Sequence, residues 1–426
     1  MITGLTVILA CSILVTGGTA YYFLGPAHEG QSPLPAPVDN PGPLAGRADD
    51  SGWTEIGVAG LGNATNLFAL EMFANLSAGG GNVFFSPYSM EAAFGMLYEG
   101  ARGRTADEIR SVFHFAQNDT ERRSSFAALY NRYNLDIPEC LLNTADAVWV
   151  QKGFPVLAQY IDVLARHYMA GAANLDFGSA PEQARKTIND WVADQTAGRI
   201  TDLFPPGSIN SMTLLALTNA IYFKGDWVTK FDSKKTKTAD FHTANGPTVQ
   251  VKMMRIPSGD GFFNYTHMDG VQILQLPYAG DQLSMLVLLP DEYNTKALEQ
   301  KLSASNLAKW RGELQREEVE IKIPRFELRC RYDLKETLNQ MGMPSAFGAA
   351  DFSGMTGKKD LFVGSAVHQT WISVNEEGTE AAAATGLVMM GGLPPTFNAD
   401  HPFIFLIQDD MTGNILFMGK VADPTK

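Results

Sequence analysis

Residues 375–386 read NEEGTEAAAATG, and no other segment restricts the possible folds so strongly. Three glutamates and one glycine lead into four consecutive alanines. A short alanine-rich helix is the ordinary outcome of such a run, yet a helix of this length is marginal in water on its own. The stretch follows strand-like residues 371–374. It precedes GLVMMGGLPPTF, where Gly-Gly and Pro-Pro pairs flank Val388, Met389 and Met390. An extended, protease-accessible loop is therefore expected. In a strand, alternate residues face opposite sides. Thr379, Ala381, Ala383, Thr385, Leu387 and Met389 then share one face, with Glu380, Ala382, Ala384, Gly386, Val388 and Met390 on the other. Small side chains on both faces leave such a strand unobstructed on either side.

The remainder reads as helices early and strands late. Residues 66–75 have helical spacing and stop at Gly79-Gly80-Gly81; a second helix starts near Ser86-Pro87, and Thr105-Ala-Asp-Glu resembles a capping box. Residues 141–150 are β-rich and lead into a helical run to about Tyr168, and 181–195 carry Ile188, Trp191 and Val192 at helix spacing. After residue 210, segments 213–223, 271–277, 283–289, 319–323 and 371–374 read as strands, and 402–421 as a hairpin around Asp410–Asn414. Without regular β–α alternation, this order predicts an α+β architecture built on large, mostly antiparallel sheets.

Ile2 to Leu24 contains no charged residue, and its 23 positions are long enough to cross a bilayer with some tilt. Three fates stay open: an uncleaved anchor, a signal peptide cut near Gly18-Thr19-Ala20, or lipid attachment at Cys11. Each places the rest outside the cytoplasm, secreted or anchored to the outer face of the membrane. Residues 25–52 hold six prolines and read as a semi-rigid spacer. The expected division is 1–24 signal or anchor, 25–52 linker and 53–426 one folded domain. Four N-x-S/T sequons, at Asn63, Asn75, Asn118 and Asn264, permit glycosylation of an exported chain.

A formal charge of −13 argues against a nucleic-acid partner. The basic cluster Lys230, Lys234, Lys235 and Lys237 sits beside Asp226 and Asp232 and reads as a solvated edge. Only Cys11, Cys140 and Cys330 occur, leaving at most one bridge in the folded part. There is no G-x-S-x-G, H-E-x-x-H, Walker loop or G-x-G-x-x-G opening a helix, and the seven histidines show no metal-ligand spacing. No enzyme activity, cofactor or metal is expected.

Several blocks together resemble the serpin family of serine protease inhibitors. NEEGTEAAAATG is similar to the family's proximal hinge and FNADHPFIFLI (397–407) to the motif after its reactive-centre loop. NVFFSPYSM (82–90), TNAIYFKGDW (218–227), QLPYAGDQLSMLVLLP (275–290) and MGMPSAFGAADFSGM (341–355) match further blocks, in order, over residues 54–422. The resemblance implies three β-sheets, about nine helices and an exposed loop over roughly 376–394. It also implies a monomeric suicide substrate: a protease cleaves the loop, the hinge side inserts into the central sheet, and the acyl-enzyme is trapped.

Carried over by motif, Glu376, Glu377, Gly378, Thr379, Glu380, Ala381, Ala382, Ala383 and Ala384 form the hinge. Ser86, Ser89, Asn219 and His368 form the polar cluster where the sheet opens, and Trp227 lies where the loop first enters. Counting from the hinge puts Gly392 before the scissile bond, and counting back from Pro402 puts Gly391 there; Met390 and Leu393 complete the candidates. Small or Met side chains suit elastase-, subtilisin- or chymotrypsin-like serine proteases, with cysteine proteases as a further class. Trypsin-like enzymes are disfavoured, since no Lys or Arg occurs between Lys359 and Lys420. The competing reading is a non-inhibitory member serving as carrier, storage or scaffold protein, against which the unobstructed hinge argues.

Overall fold

The computed structural model describes residues 46–134, 140–244, 246–280, 282–376 and 394–426. Helix α1 (Glu55–Ser77) is capped by Thr54, whose hydroxyl accepts the Gly57 N–H. It is longer than residues 66–75 because it is apolar around most of its circumference, which blunts the periodic signal. Strand β1 (Val83–Phe85) runs into Ser86, which caps α2 (Pro87–Gly100) by accepting the Ser89 N–H at 3.1 Å, with Pro87 in the first turn. Helix α3 (Gly103–Val112) begins ahead of Thr105, so the capping-box reading fails there. The Thr105 hydroxyl instead accepts the Asp351 N–H at 2.9 Å.

After α4 (Asp119–Tyr133) come β2 (Cys140–Gln151), α5 (Ala158–Val163) with a π-helical turn to Tyr168, β3 (Gly171–Leu175), α6 (Pro181–Gln195) and β4 (Leu215–Gly225). The second half holds β5 (Lys237–His242), β6 (Thr248–Ile256), β7 (Phe262–Met268), β8 (Val271–Pro277) and β9 (Leu283–Pro290). Short helices α7 (Lys296–Lys301) and α8 (Ala304–Gly312) precede β10 (Gln315–Glu318), β11 (Glu320–Pro324) and β12 (Phe326–Asp333). Then follow α9 (Leu334–Gln340), α10 (Ser353–Thr356), β13 (Ser365–Val374), β14 (Thr396–Asn398), β15 (Phe403–Asp409) and β16 (Ile415–Val421).

These strands build three sheets, ordered β1-β16-β15-β9-β8-β7-β10, β14-β11-β6-β5 and β12-β13-β4-β2-β3. The expected α+β architecture with three sheets is the one present, with ten α-helices among the described residues. Strands β9, β15 and β16 are buried along their whole length, which accounts for their unbroken apolar sequences. Strand β12 alternates, with Phe326 and Leu328 inward and Glu327 and Arg329 outward.

Helix α2 packs against β2, β4 and β16, and so lies between the five-stranded and seven-stranded sheets. On the other face of the five-stranded sheet, Ile188 and Val192 of α6 join Trp149, Phe177 and Phe204 in a separate cluster. Cys140 and Cys330 lie on β2 and β12, three strand spacings apart, roughly 14 Å. That exceeds the reach of a disulfide.

Candidate functional site

The five-stranded sheet has one parallel pairing at its centre. Strand β13 pairs with β4 from Ser365 opposite Ala216 to Trp371 opposite Tyr222, while β12 pairs with β13, and β2 with β4, antiparallel. Parallel ladders are slightly weaker per residue than antiparallel ones. Beyond Trp371 and Tyr222 the two strands no longer pair, although both continue, to Val374 and Gly225. A cleft of about 410 Å³ occupies this splayed end, lined by Tyr222, Lys224, Trp227, Trp371, Ser373 and Asn375 among others.

The segment expected to form the hinge begins at this cleft, with Glu376. The Asn375 carbonyl accepts a hydrogen bond from Trp227 Nε1 at 3.1 Å, and Trp227 stacks on Tyr278 with ring centroids 4.5 Å apart. Glu376, only 4% exposed, accepts hydrogen bonds from the Thr236 hydroxyl and from Arg325 Nε. Burial alone would raise the carboxyl pKa, but these two donors hold it below the ordinary glutamate value. A buried carboxylate with two donors fixes the exit of the chain from β13.

Ser86, Ser89, Asn219 and His368 come together in one hydrogen-bonded chain beneath the seam, and all four are buried. The Ser86 N–H donates to His368 Nε2 at 3.0 Å, which leaves the proton on Nδ1. Nδ1 donates in turn to Asn219 Oδ1 at 2.6 Å, and Asn219 Nδ2 donates to the Ser89 carbonyl at 2.8 Å and to Ser89 Oγ. Ser86 Oγ donates to the Leu416 carbonyl at 2.6 Å, which ties the cluster to β16. Desolvation pushes the imidazole pKa down to about 3, so His368 is neutral near physiological pH.

One member of this chain was not singled out from the sequence. Asp146 on β2 stands directly opposite Asn219, and its Oδ1 accepts from Asn219 Nδ2 at 2.7 Å. Desolvation of its carboxyl pushes the pKa up to about 7. The available signal is a carboxylate in the middle of TADAVWV, an otherwise apolar or small strand.

Glu377, Gly378, Thr379, Glu380, Ala381, Ala382, Ala383, Ala384, Met390, Gly391, Gly392 and Leu393 lie outside the described residues. In the basic cluster, Lys235 pairs with Asp260 at 2.6 Å and Lys237 opens strand β5. Among the described residues no group of His, Cys, Asp and Glu is arranged to hold a metal ion.

The sheet topology and the blocks that build it are those of a known family: the model for "Serpin (serine protease inhibitor)" matches residues 63–424. The chain belongs to the serpin family. It is 40% identical over 371 residues to an uncharacterized serpin-like protein of Thermococcus kodakarensis, covering 85% of each chain. It is 41% identical over 385 residues to the leukocyte elastase inhibitor of Bos taurus, covering 85% of this chain and 99% of that one. Among solved structures, uncleaved ovalbumin superposes with a TM-score of 0.79 at 29% identity, covering 85% of this chain and 100% of that one. In this serpin, β13 ends at Val374, with Asn375 between it and the segment expected to form the hinge.

Proposed function

We propose that this serpin traps serine proteases as a suicide substrate and has no catalytic turnover of its own. The observation that carries the reading is the β4–β13 seam, a short parallel ladder with a cleft at the end from which the hinge departs. A strand that turns back after Asn375 runs antiparallel to β13 and, once between β13 and β4, antiparallel to both. About a dozen residues inserted this way add up to two ladders at roughly 0.5–1.5 kcal/mol per bond, a gain on the order of 10 kcal/mol or more. Burying Leu387 and Met389 adds about 1.5–3 kcal/mol each. Such a gain rivals ordinary folding stability, so the uninserted form is metastable and held by a kinetic barrier.

In the cleavage step, the protease serine Oγ attacks the carbonyl carbon of the residue before the scissile bond. An ester forms, the peptide C–N bond breaks and the freed amine departs with the proton. Insertion of the hinge side then carries the ester-linked enzyme across the molecule and distorts its site before water can attack. Met390, Gly391, Gly392 and Leu393 bracket the bond. The absence of Lys and Arg there favours elastase-, subtilisin- or chymotrypsin-like targets, with the chain acting outside the cytoplasm.

The test mixes the folded domain with elastase, subtilisin, chymotrypsin and trypsin and assays denaturant-stable complexes. At least one of the first three should form a complex, and trypsin none. Cleavage of the loop by all of them without a complex would leave the carrier or scaffold reading in its place.

A further inference from the structure

Asp146, Asn219 and His368 stand side by side on three adjacent strands, β2, β4 and β13, in direct register. The line crosses the seam at one point only, the bond from His368 Nδ1 to Asn219 Oδ1. That bond requires the oxygen of the Asn219 amide to face β13. Turned over, the amide would present Nδ2 to a protonated Nδ1, donor against donor. The Asn219 orientation is therefore set by what accepts from Nδ2 on its other side: the Ser89 carbonyl, Ser89 Oγ and the Asp146 carboxyl.

We propose that Asp146 is a positioning residue for the opening of this sheet: its carboxyl oxygen holds the Asn219 amide toward His368, and its ionisation loosens the seam. The inference rests on the reading of the β4–β13 seam as the place where a strand enters. Only the Asn219 amide offsets the desolvation of the carboxyl; the titratable groups facing it are Tyr88 from α2 and Tyr130 from α4, whose phenols it helps to raise. Across the seam the next titratable group is His368, neutral under the same conditions. No cation faces the carboxylate among these groups, so it loses charge stabilisation in the closed sheet and regains it when water enters. Closure favours the neutral carboxyl, and opening favours the ion.

Asparagine in place of Asp146 keeps the accepting oxygen and mimics the neutral acid at every pH. Leucine has a similar volume and no acceptor. Backbone hydrogen exchange of segments 215–225 and 365–374, corrected for intrinsic rates, reports seam opening without any protease, with the 403–421 hairpin as control. Taking the ratio of wild type to Asp146→Asn cancels the contribution that both share from His368. That ratio should be near one at about pH 5 and rise about tenfold by about pH 8.5, the factor supplied by a pKa that falls by one on opening. Asp146→Leu should open faster than Asp146→Asn at every pH.

A ratio that does not change with pH, or a leucine variant as protected as the asparagine one, would overturn the proposal. Should the leucine variant fail to fold, the pH dependence of the ratio decides alone. Protease trapping by the wild type is scored separately. Trapping with a flat ratio removes the role of Asp146 and leaves the inhibitor reading standing, and a pH-dependent ratio without trapping does the reverse.

Discussion

His368 Nδ1 lies 2.6 Å from Asn219 Oδ1, a side-chain bond added to the backbone ladder that joins β13 and β4, the two strands between which the proposed insertion would pass. Both residues are buried, so neither can exchange its partner for water while the sheet is closed. Breaking the link without a replacement leaves a buried donor and a buried acceptor unpaired, at about 1–3 kcal/mol for each. The cost contributes to a barrier against premature opening, and a passing strand meets it only once.

The same neighbourhood predicts an unusual pH profile. Burial pushes the His368 pKa from 6.5 down to about 3, so the unfolded chain binds a proton below 6.5 while the folded chain does not. Its contribution to stability is present above 6.5 and is lost as pH falls toward 3. Asp146 runs the other way: raised from 3.8 to about 7, its contribution is complete below 3.8 and lost as pH rises through 7. Between 3.8 and 6.5 the two slopes oppose one another. His368→Gln should therefore unmask stability that falls with rising pH, and Asp146→Asn stability that falls with falling pH. Denaturant midpoints of the uncleaved protein at stepped pH measure both, and parallel profiles for the two variants would contradict the assignment.

The clamp at the start of the hinge gives a second prediction. Glu376 is buried while Arg325 is nearly half exposed, so solvent screens part of their attraction. Glu376→Ala should lower the stability of the uncleaved form by about 1 kcal/mol. Because the pKa of Glu376 is lowered, the difference from wild type should shrink in acid, as pH falls through that pKa. A double-mutant cycle with Arg325→Ala isolates the pair. Additive effects of the two substitutions would show that Glu376 is held by burial and Thr236 alone.

Away from the seam, Glu99 receives Arg122 Nη2 at 2.7 Å with both side chains almost fully buried, together with Arg123 and the Tyr168 hydroxyl at 3.0 Å. Glu99→Ala removes the buried carboxylate from Arg122 and leaves it only the exposed Asp119, on Nη1 at 2.7 Å, at a cost of up to about 3–5 kcal/mol. Urea unfolding of the uncleaved protein would read this directly, and a loss below about 1 kcal/mol would show that the existing Asp119 pair is enough to hold the guanidinium.

The blocks around Ser86 and Asn219 are legible in the sequence through local signatures, whereas His368 lies ahead of the strand-like residues 371–374 and is reached only through the family resemblance. Ser86-Pro87 opens a helix, and residues 402–421 alternate two apolar runs around a turn. Strands β5, β7, β10 and β12 were not legible. Their outward faces are polar and their inward residues few, as in the exposed Gln315, Arg316 and Glu317 of β10, so periodicity cannot separate them from loops. Asp146 was hidden for a different reason. Its partner Asn219 is 73 residues away, and a lone carboxylate in a strand acquires meaning only through the register that places the two opposite each other.

Thr379 provides the sharpest test of strand entry. By alternation it shares a face with Ala381, Ala383, Leu387 and Met389, the face expected to turn inward on insertion. An arginine there would bring an unpaired guanidinium into the core near the start of the inserted strand, at an effective cost of several kcal/mol. That takes a large part of a total gain on the order of 10 kcal/mol, so insertion slows and the protease has time to hydrolyse its ester. Thr379→Arg should therefore be cleaved at the wild-type rate while yielding mostly free protease and little complex. Cleaved wild type should melt at a markedly higher Tm than the uncleaved form, and cleaved Thr379→Arg between the two. Undiminished complex formation by Thr379→Arg would place that side chain on the solvent face, and an unchanged Tm on cleavage of the wild type would mean that the freed hinge does not enter the sheet.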